Sequence, residues 1–75
     1  MATTSDTTLG SRIRTARRAA GFKNAEALAV ALGVGYRTIQ RWETDRGEPS
    51  IARLREIAAL TGESLAYFIG EEAAA

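Results

Sequence analysis

Four polar side chains near the middle of the chain could recognise a nucleic acid: Tyr36, Arg37, Gln40 and Arg41. Their spacing places them on one face of a helix, because residues three or four apart are neighbours on a helical surface. An arginine guanidinium can form paired hydrogen bonds with a guanine edge or a phosphate. A tyrosine ring can pack on a thymine methyl group, and its hydroxyl can bind a phosphate. This face is therefore a candidate for non-covalent binding of DNA.

The segment AEALAVALGVGYRTIQRW, residues 25–42, supplies such a helix and another before it. Gly33 divides the segment into two short amphipathic runs and tolerates the positive φ of a tight turn. Ala29 is small enough for two helices to approach closely. Apolar contacts come from three residues of the turn and second run: Val34, Ile39 and Trp42. The layout is typical of a helix-turn-helix, whose second helix can lie in the major groove. A plain αα-hairpin with solvent-facing arginines is an equally good interpretation of these residues alone.

A first helix is predicted before this segment, between Thr8 as N-cap and Gly21 as terminator. Its inward stripe has helical spacing: Leu9, Ile13, Ala16 and Ala20. Arg17 lies next to this stripe, so its charge needs a partner. The other arginines of this helix are expected to point elsewhere, into solvent: Arg12, Arg14 and Arg18. Asn24 is the expected N-cap of the second helix.

Two more helices are predicted after the central segment. Ser50 is the expected N-cap of a fourth helix that ends at Gly62. Its inner face consists of Ile51, Leu54, Ile57 and Ala58. Ser64 begins a short fifth helix that contains Leu65, Phe68 and Ile69 and ends at Gly70. Since apolar and polar residues nowhere alternate as in a strand, we expect an all-α fold.

Charge is distributed unevenly along the chain, although the net charge is only +1. All ten basic residues lie between Arg12 and Arg55, where only four acids oppose them, whereas the tail from Glu56 has four acids and no base. A basic body with an acidic end favours one face for an anionic partner. An ordinary solvated surface gives the same pattern and is the simpler interpretation of charge alone.

Composition excludes several kinds of site. The chain has no cysteine and no histidine, so disulfides, thiolate metal sites, and histidine bases or ligands are ruled out. We therefore expect no enzyme, no metal and no cofactor. Glu43 and Asp45 are close in sequence and could suggest a pair of catalytic acids, but helix ends often carry such pairs without catalysis. No apolar run approaches the roughly 20 residues that span a bilayer, and residues 1–8 do not resemble a signal peptide. A cytoplasmic, nucleoid-associated location without membrane contact is expected.

The segment from Leu9 to Ile69 resembles the Cro/cI-type helix-turn-helix family, also called XRE-like or lambda-repressor-like. The matching pieces are LGSRIR at 9–14, AGF at 20–22, EALAVALGV at 26–34, TIQRWE at 38–43, EPS at 48–50 and GESLAYF at 62–68. The resemblance implies a compact five-helix domain with a central helix-turn-helix. It also implies binding of a palindromic operator in double-stranded DNA by a homodimer, most often for repression.

Carried over residue by residue, the resemblance assigns roles to several side chains. Arg17 and Glu43 occupy the positions of a buried ion pair that links the first and third helices. Base contacts are implied for Tyr36, Arg37 and Arg41, with Gln40 beside them. Phosphate contacts are implied for Thr38, Thr44 and Arg46.

Two positions depart from the family pattern. Ala25 stands where many members have a glutamine that braces a phosphate, after an apparent one-residue insertion around Lys23, and Asn24 is the expected substitute. Gly35 replaces a usual serine or threonine, so its contribution to phosphate binding is expected through backbone amides. Specificity is therefore expected to depend heavily on Tyr36, Arg37 and Arg41.

These observations predict a flexible N-terminal arm (1–8), a DNA-binding domain (9–70) and a flexible acidic, alanine-containing tail (71–75). The functional hypothesis is a sequence-specific transcriptional regulator, a repressor that occludes its operator with recognition helix 36–43 in the major groove. The alternative is a protein-interaction module, such as an antitoxin, that uses its acidic end and exposed Tyr67 and Phe68. Burial of these aromatic rings against the first helix, or in a self-dimer contact, is the more ordinary role for them.

Overall fold

The computed structural model describes residues 8–70, which form five α-helices and no strand. They are α1 (Leu9–Ala19), α2 (Ala25–Leu32), α3 (Tyr36–Glu43), α4 (Ile51–Thr61) and α5 (Leu65–Ile69). The all-α, five-helix prediction is confirmed. The predicted arm and tail fall largely on residues 1–7 and 71–75, outside the described residues. Within the described part, no helix is long and apolar enough to cross a membrane.

Side-chain caps determine where four of the helices begin. Thr8, Asn24, Ser50 and Ser64 each accept a hydrogen bond from the backbone N–H three residues later, at 2.9–3.1 Å. Each bond satisfies one of the N–H groups that a helix start leaves without an intrahelical partner. α3 is the exception, because Gly35 has no side chain to supply this bond.

The core is apolar and draws on every helix. Its buried side chains are Ile13, Ala16, Leu28, Ala29, Leu32, Ile39, Trp42, Leu54, Ile57 and Phe68. Full burial of a large apolar side chain contributes about 1.5–3 kcal/mol, so this set stabilises the packing of five short helices. Phe68 lets the short α5 close the core beside α1.

Two predictions of inward-facing residues were wrong. Ile51 is 55% exposed, because it is the first residue of α4 and extends beyond the core that Leu54 reaches. Ala20 is also exposed, since α1 ends at Ala19 and the chain turns away at Gly21. Both errors concern helix ends, where periodicity no longer determines which side faces the core.

The turn between α2 and α3 positions the outer face of α3. Gly33 has φ +77°, and its neighbour Val34 donates its N–H to the carbonyl of Ala29 at 3.0 Å. Arg53 of α4 donates from Nη1 to the carbonyl of Leu32 at 3.0 Å, which satisfies another end group of α2. The turn is thus fixed both by its own backbone bonds and by a side chain from α4.

A close contact between α1 and the end of α3 sets their relative position. The backbone N–H of Gly10 donates to Asp45 Oδ1 at 2.9 Å. A Cβ atom at Gly10 would lie 2.5 Å from the carbonyl oxygen of Trp42 and 2.7 Å from that of Glu43. Only glycine permits this approach, and the sequence pattern did not predict it.

Candidate nucleic-acid interface

The outer face of α3 presents the four polar residues that sequence spacing placed together. Tyr36 is 41% exposed, and Arg37, Gln40 and Arg41 are also exposed. On the opposite side of α3, Ile39 is fully buried. Since an eight-residue helix is about 12 Å long, the four side chains form a compact patch over its whole length.

The two arginines of this face differ in their local bonding. Arg41 Nη2 donates to the carbonyl oxygen of Arg46 at 3.2 Å, so its guanidinium lies against the loop after α3. Within the described residues, the Arg37 side chain makes no hydrogen bond. Thr44 also joins this end of the helix, since its hydroxyl donates to the carbonyl of Gln40 at 2.8 Å. The Arg41 side chain thus has a hydrogen-bond partner in the loop after α3, and Arg37 has none among residues 8–70.

A buried ion pair connects α1 to the end of α3. Arg17 Nε donates to Glu43 Oε2 at 2.7 Å, and Arg17 Nη2 donates to Glu43 Oε1 at 3.3 Å. Arg17 Nη1 also donates to the carbonyl of Phe22 at 2.9 Å. The two side chains are only 6% and 8% exposed. The structure therefore brings Arg17 and Glu43 together in a paired geometry that links three segments of the chain.

An open groove of about 620 Å³ runs between α1, the α1–α2 loop and α3. Its lining contains seven basic residues: Arg14, Arg17, Arg18, Lys23, Arg37, Arg41 and Arg46. Glu43 is its one acid, and that carboxylate is already bound by Arg17. We call this feature the basic groove.

Of the three arginines of α1 expected in solvent, Arg12 is the one for which the prediction was wrong, because it is half-buried and donates to the carbonyl of Tyr67 at 2.7 Å. Arg14 and Arg18 are exposed, as expected, and both line the basic groove that α3 also borders. Their direction depends on how α1 crosses α3, which the helical period of α1 cannot reveal. The clustering of arginine and lysine across residues 14–23 was the only available signal.

The residues for which phosphate contacts were expected fall into two groups. Asn24, Thr44 and Arg46 line the basic groove, with Asn24 also capping α2. Gly35 and Thr38 lie at the start of α3, outside the groove lining. These two groups bracket the polar face of α3.

The two aromatic rings invoked for the protein-interaction alternative pack within the domain. Phe68 is 1% exposed, which agrees with the more ordinary role expected for it, burial in the core, and not with the exposure that the alternative needs. Tyr67 is half-buried and packs edge-to-face on Phe68 with ring centroids 5.2 Å apart. Arg12 donates to the carbonyl of Tyr67 at 2.7 Å and lies over its ring. These rings pack α5 against the rest of the domain.

Metal binding has no candidate site in the described part of the chain, because no group of three acidic, histidine or cysteine side chains among residues 8–70 could hold a metal ion.

Comparison with known proteins agrees with this geometry. A family model described as helix-turn-helix matches residues 13–68. An "Uncharacterized transcriptional regulator in ATPase CF(0) region" from Rhodospirillum rubrum is 35% identical over 66 residues, which is 88% of this chain. The chain spans about 60% of the length of that relative. No solved structure matches significantly. The chain belongs to the Cro/cI-type helix-turn-helix family.

Proposed function

We propose that this chain is a sequence-specific, double-stranded DNA-binding transcription regulator that represses by occupying its operator. The observation that carries the proposal is the exposed polar face of α3 beside a groove whose only acid is already paired. Family membership supports DNA as the binding partner. The name of the Rhodospirillum rubrum relative supports a role in transcription regulation. Residues 9–70 would form the DNA-binding domain.

In this proposal α3 lies in the major groove, which is about 12 Å wide and admits an α-helix. Tyr36 and Arg37 face the bases from the first turn of α3, and Gln40 and Arg41 face them from the second. Ile39, on the opposite side of α3, is fully buried in the core and packs the helix against the rest of the domain. The polar face of α3 is thereby left to contact DNA.

Arg37 and Arg41 would provide most of the base recognition. Each guanidinium can form a bidentate contact with guanine O6 and N7, which discriminates against the wrong base by about 1–3 kcal/mol. Arg41 donates from Nη2 to the Arg46 carbonyl, which leaves Nε and Nη1 for contact with a base. Arg37 has no such bond among the described residues and can adjust to the base it meets.

Phosphate contacts on either side of α3 would fix its register. Asn24 and the amides at the start of α2 lie at one edge, and Thr44 and Arg46 lie in the loop that follows α3. At the start of α3, the amides near Gly35 and the Thr38 hydroxyl can donate to a phosphate.

The regulator would act as a homodimer on a palindromic operator. Two copies of α3 would enter successive major grooves, with half-sites about 34–36 Å apart. An operator that overlaps a promoter would then be closed to RNA polymerase. In an in vitro transcription assay, moving the operator outside the polymerase footprint should abolish repression. Repression that persists at the distant site would contradict occlusion.

The proposed base contacts can be tested with a DNA sequence selected by this protein from a random pool. Arg37→Ala and Arg41→Ala should each weaken binding to that sequence roughly 5- to 150-fold, with a much smaller loss on random DNA. Arg55→Ala is the matched control, because Arg55 is exposed on α4 outside the basic groove. Unchanged affinity for both α3 variants would contradict the assignment of these contacts.

A further inference from the structure

The basic groove has a second wall that the contacts proposed above do not use. Arg14 and Arg18 of α1 and Lys23 of the α1–α2 loop form this wall, and all three are exposed. They face the three basic residues on the α3 side: Arg37, Arg41 and Arg46. We call Arg14, Arg18 and Lys23 the α1 wall.

The lining of the basic groove holds no acid that could neutralise the α1 wall. Glu43, the one acid in the lining, binds Arg17 at 2.7 Å. The other six bases of the lining have no ion-pair partner among residues 8–70. The groove is therefore positively charged, although the whole chain carries a net charge of only +1.

Two arginines of the α1 wall repel each other along α1, although Arg18, in the last turn, also interacts favourably with the helix C-terminus. Arg14 and Arg18 are four residues apart, and like charges at this spacing destabilise a helix by about 0.2–0.5 kcal/mol. No ion pair offsets this repulsion in the part of the chain that the structure describes. An anionic ligand along the wall would remove it.

We infer that the α1 wall binds the phosphates of the DNA strand bordering the major groove that α3 occupies. The inference rests on the proposed function, because the strand is identified by the position of α3. The α1 wall would contact the phosphate backbone from a helix other than α3, so it contributes affinity without base preference.

The salt dependence of DNA binding measures this contribution directly. Each neutralised phosphate contributes about 0.9 to the slope of log affinity against log salt concentration. The double variant R14A/R18A should therefore reduce the magnitude of the slope by about 1.8. It should weaken binding to the selected sequence and to random DNA by the same factor. Arg55→Ala is the control and should leave the slope unchanged.

Several results would overturn the inference. If R14A/R18A keeps the wild-type slope while the wild-type protein still selects its site, the α1 wall does not bind phosphates, and the proposed function is unaffected. A change in base preference in that variant would mean that these arginines contact bases rather than phosphates. If the wild-type chain has no salt-dependent affinity for DNA, the proposed function and this inference fail together. Because both residues are exposed, an unchanged thermal midpoint would establish that the variant is folded.

Discussion

At the scale of single residues, Arg17 stands out as the one buried charged residue among residues 8–70. Its guanidinium binds Glu43 at the end of α3 and the carbonyl of Phe22 before α2. Buried ion pairs contribute little net stability, because desolvation offsets most of their attraction. We therefore interpret this pair as a device that fixes the orientation of α3 relative to α1.

This interpretation predicts different outcomes for breaking the pair and for replacing it. Arg17→Ala leaves the Glu43 carboxylate buried without its partner and should lower the free energy of unfolding by about 3–5 kcal/mol. The double variant Arg17→Met, Glu43→Leu should be as stable as wild type or more so, since apolar replacement of a buried pair is often neutral or favourable.

Urea unfolding of both variants, followed by DNA titration of the double variant, checks this prediction. The double variant should bind its selected site more weakly than wild type despite normal stability. Full affinity in the double variant would mean that the ion pair does not orient α3.

Sequence reasoning could identify the side chains on α3 but not all of their neighbours. The spacing of residues 36–41 was enough to place four polar side chains on one exposed face. Arg17 and Glu43 were paired by resemblance, since nothing in their separation of 26 residues predicts contact. Arg14 and Arg18 were correctly predicted to be exposed, but their place in one groove with α3 was not predicted, because it depends on the crossing of two helices.

At the scale of helices, local signals were sufficient to place the elements. Caps at Thr8, Asn24, Ser50 and Ser64 start four helices as predicted. The close approach of Gly10 in α1 to the end of α3 was not predicted, because it depends on a long-range contact between Gly10 and Asp45. Asp45 adopts φ +60°, a left-handed conformation that is unfavourable for most side chains, and its bond to Gly10 offsets that cost.

The close approach of Gly10 to the end of α3 predicts a large effect of one methyl group. Gly10→Ala would place Cβ 2.5 Å from the Trp42 carbonyl oxygen, so the end of α3 must move. Overpacking of this kind should lower the free energy of unfolding by about 1–3 kcal/mol. Gly35→Ala is the matched control, since no atom lies within 4 Å of its added Cβ, and its effect should stay below about 1 kcal/mol. Equal thermal midpoints for the two variants would contradict the close approach.

The uncapped start of α3 predicts a substitution that improves the protein. Gly35 has φ −73° and ψ 150°, which serine adopts without strain. Gly35→Ser should raise the free energy of unfolding by about 0.5–1 kcal/mol through capping and a less flexible unfolded chain. Its hydroxyl can also donate to a phosphate, so affinity should rise similarly on selected and random DNA. A lower thermal midpoint would show that the cap is not formed.

At the scale of the whole molecule, function depends on where charge lies rather than on its total. Ten basic and nine acidic residues nearly cancel, yet the groove beside α3 gathers seven bases around one paired acid. The sequence revealed a basic body with an acidic end. The fold adds that α1 and α3 direct their bases into one shared groove, the face on which the proposed function places DNA.

The central claim is that α3 binds in the major groove through its exposed face, and methylation interference tests it most directly. Guanine N7 lies in the major groove, so its methylation should block binding at one or two guanines in each selected half-site. With Arg37→Ala, methylation of at least one of these guanines should no longer matter. If N7 methylation never interferes, or interferes identically with wild type, Arg37→Ala and Arg41→Ala, α3 does not contact bases as proposed.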